Sequence, residues 1–140
     1  MKALFVTVDA GGNLPPELGV ASELTRRGVH VQFLGHAAQR AAIERAGFGF
    51  TPYPTATTFD PLHGQGMVSG LRAFLSIATD RRVGDDAVAL ARSERIDIVV
   101  ADVIVSRGIQ RLVAAGTPQP AWATRSTPSP RTCPAAPSDC

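Results

Sequence analysis

Between Val8 and Leu14 the chain reads Asp9-Ala10-Gly11-Gly12-Asn13, with a carboxylate before two adjacent glycines and a carboxamide after them. Paired glycines following an apolar run allow backbone to come close to a ligand. Phosphate binding is the first chemistry to test, and two common forms of it fail. No Gly-Lys-Ser/Thr follows, so this is not a Walker loop. Nor is it G-x-G-x-x-G, because the glycines are adjacent and Pro15 and Pro16 stand where a helix should offer free N–H groups. A ligand-facing turn and a tight turn without ligand both remain open. A second carboxylate, Asp102, ends the run Asp97-Ile98-Val99-Val100-Ala101. Taken alone, it fits capping of the next helix as well as any chemistry.

The histidines carry less. His30 alternates within a strand-like run and reads as a packed surface residue. His36 follows Gly35 at a strand end, where it could contact a ligand, although a helix-start role fits better. His63 lies between Asp60 and Gly64 in a loop-like stretch. Phe59, Met67, Leu71 and Phe74 could line an apolar pocket, with Leu71 and Phe74 better suited to ordinary core. Cys133 and Cys140 have no partner at metal-ligand spacing, so no metal is expected.

Positioning these residues calls for a parallel α/β domain. Lys2 to Val8 is a short apolar run that reads as a buried strand, and the segment from Leu14 to Arg27 has helical periodicity. Leu14, Leu18, Ala21 and Leu24 share one face of that helix, and Glu17 complements its positive end. Val29–Leu34 reads as the next strand, and the crossover helix makes the pair parallel. The pattern repeats with a helix from Ala37 to Ala46, stopped by Gly47, and a third strand at Phe48–Thr51. Tyr53 to Gly70 is a proline- and glycine-punctuated loop, of a length usually found where loops are functional or mobile. Helices are expected at Val68–Ala78, Val83–Arg92 and Ser106–Ala115, with the Asp97–Asp102 strand between the last two.

A chain of 140 residues has one domain's worth of sequence. Its net charge of +2 points to neither nucleic acid nor an anionic membrane as partner. No apolar run suggests a membrane span, and no signal peptide is apparent, so a cytoplasmic location is expected. From residue 117 the pattern is lost: 6 of the 11 prolines and both cysteines lie there, without apolar periodicity. The expected division is a Rossmann-like domain over 1–116 and an irregular Pro/Ser/Thr-rich tail over 117–140.

From Lys2 to about Pro54 the chain resembles the amino-terminal half of the GT-B glycosyltransferases, above all the UDP-glycosyltransferase and bacterial macrolide-glycosyltransferase types. The resemblance rests on the first strand, Gly-Gly-x-x-x-Pro, Glu-Leu-x-x-Arg-Gly-Val-His-Val, Phe-Leu-Gly-His and Ala-Gly-Phe-x-Phe-x-Pro, in that order. It continues more thinly to the strand ending at Asp102. What it implies is a sugar moved from a nucleotide-sugar donor to the hydroxyl of a small-molecule acceptor. This chain would supply the acceptor-binding half, over Asp9, Gly11, Gly12 and Asn13. In the family a His three residues before the helix-starting proline takes the acceptor's proton, and an Asp at a later strand end orients it. The matching positions are Asn13, ahead of Pro16, and Asp102. The loop carrying His63, Phe59 and Met67 corresponds to one that covers the acceptor cleft, and His36 lies on the same edge.

The departures matter as much as the match. Asn13 cannot take a proton near neutral pH, although its amide can hydrogen-bond a hydroxyl. Four readings stay open: an acceptor that is already acidic, such as a phenol or carboxylate; Asp9 or a loop histidine such as His63 as base; catalysis by positioning; or inactivity. No cofactor is implied, and the donor is held mainly by a carboxyl-terminal domain absent from this sequence. The domain itself is expected to be truncated, with the tail read in a shifted frame from somewhere after Val105. A separately encoded donor-binding domain is one implied partner. The alternative is a non-catalytic small-molecule-binding or auxiliary module, or an inactive relic. A dinucleotide-binding oxidoreductase stands third, because the glycine spacing is wrong and no acidic residue ends the second strand.

Overall fold

The computed structural model of the chain describes residues 1–9, 12–56, 72, 75, 76 and 78–117. Four strands, β1 (Lys2–Val6), β2 (His30–Gly35), β3 (Gly49–Pro52) and β4 (Ile98–Ala101), form one parallel sheet in the order β3-β2-β1-β4. Between them lie α1 (Leu14–Arg26), a 3-10 turn (Ala37–Gln39) running into α2 (Arg40–Arg45), and α3 (Arg81–Ser93); α4 (Ser106–Ala114) follows β4. The expected α/β, Rossmann-like parallel sheet flanked by helices is therefore present. Boundaries differ from expectation by one to three residues, and the helix expected from Ala37 opens as a 3-10 turn. The expected loop beyond Ala56, most of the Val68–Ala78 helix and the tail beyond Thr117 lie outside the described residues.

Alternation along β1 sets the two faces. Ala3 and Phe5 point into a core with Ala21, Val29, Val31, Phe33 and Ile43, on the side of α1 and α2. Leu4, Val6 and Val8 point the other way, to Leu34, Val83, Ala87, Val99, Val105 and Leu112, on the side of α3 and α4. Strands buried on both faces are apolar almost throughout, which accounts for the run from Ala3 to Val8, broken only by the buried Thr7. Phe5 and Phe33, paired across β1 and β2, stack with ring centroids 5.0 Å apart. Burying each ring contributes roughly 2–3 kcal/mol.

Two glycines are required by their surroundings. Gly28, at φ +82°, takes the left-handed conformation that ends α1 and turns the chain into β2. Gly84 on α3 lies against Gly108 on α4, where a Cβ would stand 2.9 Å from the Gly108 Cα and carbonyl oxygen. That contact draws the two helices together over β4.

The strand order decides where ligands can bind. β2 lies on one side of β1 and β4 on the other. The chain leaving β1 therefore enters a helix on one face, and the chain leaving β4 enters a helix on the opposite face. The loops diverge and leave a crevice at the carboxyl ends of β1 and β4, the switch point at which open parallel sheets bind ligands.

Candidate functional site

Asn13 and Asp102 meet in that crevice. Asn13 precedes the first residue of α1 but does not cap the helix with its side chain. Its amide nitrogen donates instead to the Val8 carbonyl at 2.6 Å and to Asp102 Oδ2 at 2.5 Å. Asp102 extends the β4 ladder, its N–H donating to the Val6 carbonyl at 3.0 Å. Its Oδ1 accepts from the Ile104 N–H at 2.9 Å, so the carboxylate braces its own turn. The helix-cap role that was open for Asp102 is not the one it has: the residue before α4 is Val105.

The first turn of α1 is poor in donors. Pro15 and Pro16 bring no N–H, and the Glu17 N–H is already directed to the Asn13 carbonyl at 3.4 Å. A helix start of this kind gives a phosphate little to bind.

Glu17, one turn beyond Asn13, was missed as a site residue. Expected only to complement the helix dipole, it is half-buried and interacts with the side chains of Thr7, Asn13 and Asp102. Burial above all pushes its carboxyl up to about 7; the Thr7 side chain opposes this, the Asp102 charge and contact reinforce it, and Asn13 opposes it. Among the described residues its Oε2 is buried without a hydrogen-bond partner. The available signal was the four-residue spacing from Asn13, which puts both side chains on one helix face.

Behind these groups lies a second layer. The Tyr53 hydroxyl, just past β3, donates to the Thr7 carbonyl at 2.9 Å. Thr7 Oγ1 accepts from Gln39 Nε2 at 3.2 Å, and Gln39 Oε1 accepts from the His36 N–H at 3.1 Å. Burial raises the Tyr53 phenol well above its ordinary value, with further contributions from the charges of Glu17, Asp86 and Asp102. His36, the residue before the 3-10 turn, is 6 % exposed, and its ring lies among buried neighbours at the end of β2. Its ring stands edge-on to Tyr53, centroids 5.3 Å apart. Burial lowers its pKa, against the pull of Asp9 and Asp80, which leaves a neutral imidazole at neutral pH.

Asp86 on α3 completes the frame. Buried, it accepts from the Thr55 N–H at 3.1 Å, the Thr55 hydroxyl at 2.7 Å and the Ala56 N–H at 3.2 Å. It thereby fixes the chain as it leaves β3.

Of the residues singled out in the sequence, Asn13 and Asp102 are in direct contact, and His36 lies in the layer behind them. Asp9 is half-buried on the same edge. Gly12 is exposed, and among the described residues a Cβ there would meet nothing within 4 Å. Gly11, Phe59, His63 and Met67 lie outside the described residues. Among the described residues, no group of three or more His, Cys, Asp or Glu side chains could hold a metal ion. No described helix is long and apolar enough to cross a membrane.

No family model matches the chain, and no curated protein matches its sequence. Solved structures do match. The glycosyltransferase SnogD from Streptomyces nogalater superposes with a TM-score of 0.64 at 23% identity, over 85% of this chain and 33% of its own. The spinosyn forosaminyltransferase SpnP gives 0.65 at 22% identity, over 85% of this chain and 30% of its own. The glycosyltransferase VinC, solved in complex with dTDP, gives 0.62 at 21% identity, over 85% of this chain and 33% of its own. The fold is thus the one found in the amino-terminal half of GT-B glycosyltransferases. The chain spans about a third of the length of these enzymes.

Proposed function

We propose that this chain is the acceptor-binding half of a glycosyltransferase, which moves a sugar from a nucleotide-sugar donor to a hydroxyl of a small molecule. The observation that carries this reading is the Asn13–Asp102 contact at the β1/β4 switch point, on a fold shared with sugar transferases. Asp102 and the Val8 carbonyl take both amide hydrogens of Asn13. Asp9 and the neutral His36 supply further polar contacts on the same edge. The donor is held by a further domain, joined to this chain or supplied separately.

The test has two parts. Ligand-detected NMR should show phenolic and macrolide-type hydroxyl compounds binding the chain, with binding weakened in Asn13→Ala and Asp102→Ala. Mixed with the product of the adjacent reading frame, the chain should transfer labelled sugar from UDP-glucose or dTDP-glucose to the same compounds. Tight binding of free nucleotides, with none of the hydroxyl compounds, would place the chain on the donor side and sink the proposal. The Asn at position 13 favours one second reading, a non-catalytic binding module. Binding of the hydroxyl compounds without transfer in any mixture selects it.

A further inference from the structure

The geometry points to Val103 as a residue that selects the acceptor, by packing against the apolar body of a neutral hydroxyl compound held at the Asn13–Asp102 contact. This inference rests on the acceptor reading above and concerns the part of the ligand that does not react.

Hydrogen bonds on either side hold Val103 at the tip of the turn after β4. Asp102 Oδ1 accepts from the Ile104 N–H at 2.9 Å, and the Asp102 carbonyl accepts from the Val105 N–H at 3.1 Å. Val105 is fully buried in the core, and Ile104 packs partly against it. Val103 goes the other way and is 82 % exposed, more than any other large apolar side chain among the described residues. Turns favour Gly, Asn, Asp and Ser. A β-branched side chain here has neither strand geometry nor core packing to favour it.

A single exposed valine is ordinary on a protein surface; its place and its counterpart across the crevice set this one apart. The Asn13–Asp102 hydrogen bond ties this turn to the start of α1. There too the chain just past the polar residue is apolar and exposed, at Pro15 and Pro16, which bring no N–H. The polar contact thus lies between two turns that each carry exposed hydrocarbon. A few polar groups that fix orientation, amid apolar lining, is the composition of a small-molecule site. A polyol leaves that hydrocarbon in water. A hydroxyl borne on an aromatic or aliphatic ring system covers it, and covering the Val103 side chain gains about tenfold in affinity. The side chain takes no part in the hydrogen bonds that place Asp102, so it acts on the body of the ligand and leaves the polar contact unchanged.

The test uses the full chain and two probes: 2-naphthol, a neutral hydroxyl on an apolar ring system, and glycerol, which has hydroxyls and no such body. In NMR titrations 2-naphthol should bind, shift the Val103 methyl signals, and bind about tenfold more weakly to Val103→Ser. Val103→Leu should bind it at least as tightly as wild type. Because position 103 is exposed, both variants should unfold at the wild-type midpoint, which separates a lost contact from a lost fold. Glycerol at equal concentration should not displace 2-naphthol. Binding that weakens in Asn13→Ala but not in Val103→Ser overturns this inference and leaves the acceptor reading standing, as does displacement by equimolar glycerol. If no hydroxyl compound binds the wild-type chain, the acceptor reading fails and the Val103 role falls with it.

Discussion

Replacing Glu17 by Gln keeps the side chain's shape and removes its charge, so it isolates the cost of holding that carboxyl where it is. The carboxyl rises from 4.5 to about 7 on folding, chiefly through burial. At about 1.4 kcal/mol per tenfold change in proton affinity, this corresponds to about 3 kcal/mol between the protonated and ionised forms. The side chain is only part-buried, so water screens the effect and leaves about 1–2 kcal/mol. The sign follows from the direction. The folded state holds the Glu17 proton more tightly than the unfolded state, so this contribution is fully present below about pH 4.5. It is lost progressively as pH rises through about 7 and is level above that. Urea unfolding of wild type and Glu17→Gln at pH 4 and pH 8 reads it directly, because the difference between them cancels every other carboxylate. The variant should be more stable than wild type by about 1–2 kcal/mol at pH 8. At pH 4 the gap should close. An equal gap at both pH values, or a variant less stable at pH 8, would refute the reasoning, since the carboxylate would then not be carrying an uncompensated charge.

The remaining expectations concern the frame. Gly84→Ala drives a Cβ to 2.7 Å from the Arg111 Cβ and 2.9 Å from the Gly108 backbone, and should cost about 1–3 kcal/mol in thermal or urea unfolding. Gly108→Ala meets nothing nearer than 3.4 Å and should be neutral or raise stability by up to about 1 kcal/mol, from helix propensity. Tyr53→Phe removes the donor to the buried Thr7 carbonyl and should lower stability by about 1 kcal/mol at any pH from 5 to 9. Asp86→Ala strands three donors; amide exchange at Thr55 and Ala56 should speed up, with a loss of about 2–4 kcal/mol. Asn13→His places an imidazole beside Asp102, and its cationic form should pull the Glu17 titration down toward the ordinary carboxylate range. A Glu17 midpoint indifferent to that change would show that the two positions are not coupled.

The sheet was legible because its signals are local. Apolar runs mark β1, β2 and β4, with glycines after the first two and an aspartate at each end of the last, and the residues that meet at the switch point, Asn13 and Asp102, both stand out in the sequence. What escaped notice depends on residues far apart in the chain. Asp86 looks like an ordinary polar position on α3 until Thr55, 31 residues earlier, is placed against it. Gly84 gives no sign of its role until Gly108 arrives from the next helix. Glu17 was visible but misassigned: in the first turn of a helix an acidic residue is expected to face solvent and complement the dipole. The turn after β1 instead brings Thr7 beside it, and β4 brings Asp102, so the same residue lies in low-dielectric surroundings next to a like charge.

That charge arrangement bears on which acceptor the site suits. The charges felt at Glu17, His36 and Tyr53 all come from carboxylates: Asp102 at the first, Asp9 and Asp80 at the second, Glu17, Asp86 and Asp102 at the third. An acceptor that arrives as a carboxylate or a phenolate would meet this field as a like charge, and the two prolines in the first turn of α1 remove donors that could offset it. The same field repels a nucleoside diphosphate. A neutral hydroxyl suffers neither penalty. Asp102 is committed to the Asn13 amide and to its own turn. Burial above all, with the Asp102 charge reinforcing it, raises the Glu17 carboxyl to about 7. A carboxylate or phosphate ligand must overcome both the carboxylate charges and the lack of donors in the first turn of α1, so an anionic ligand binding tightly to this chain would count against that reading of the site.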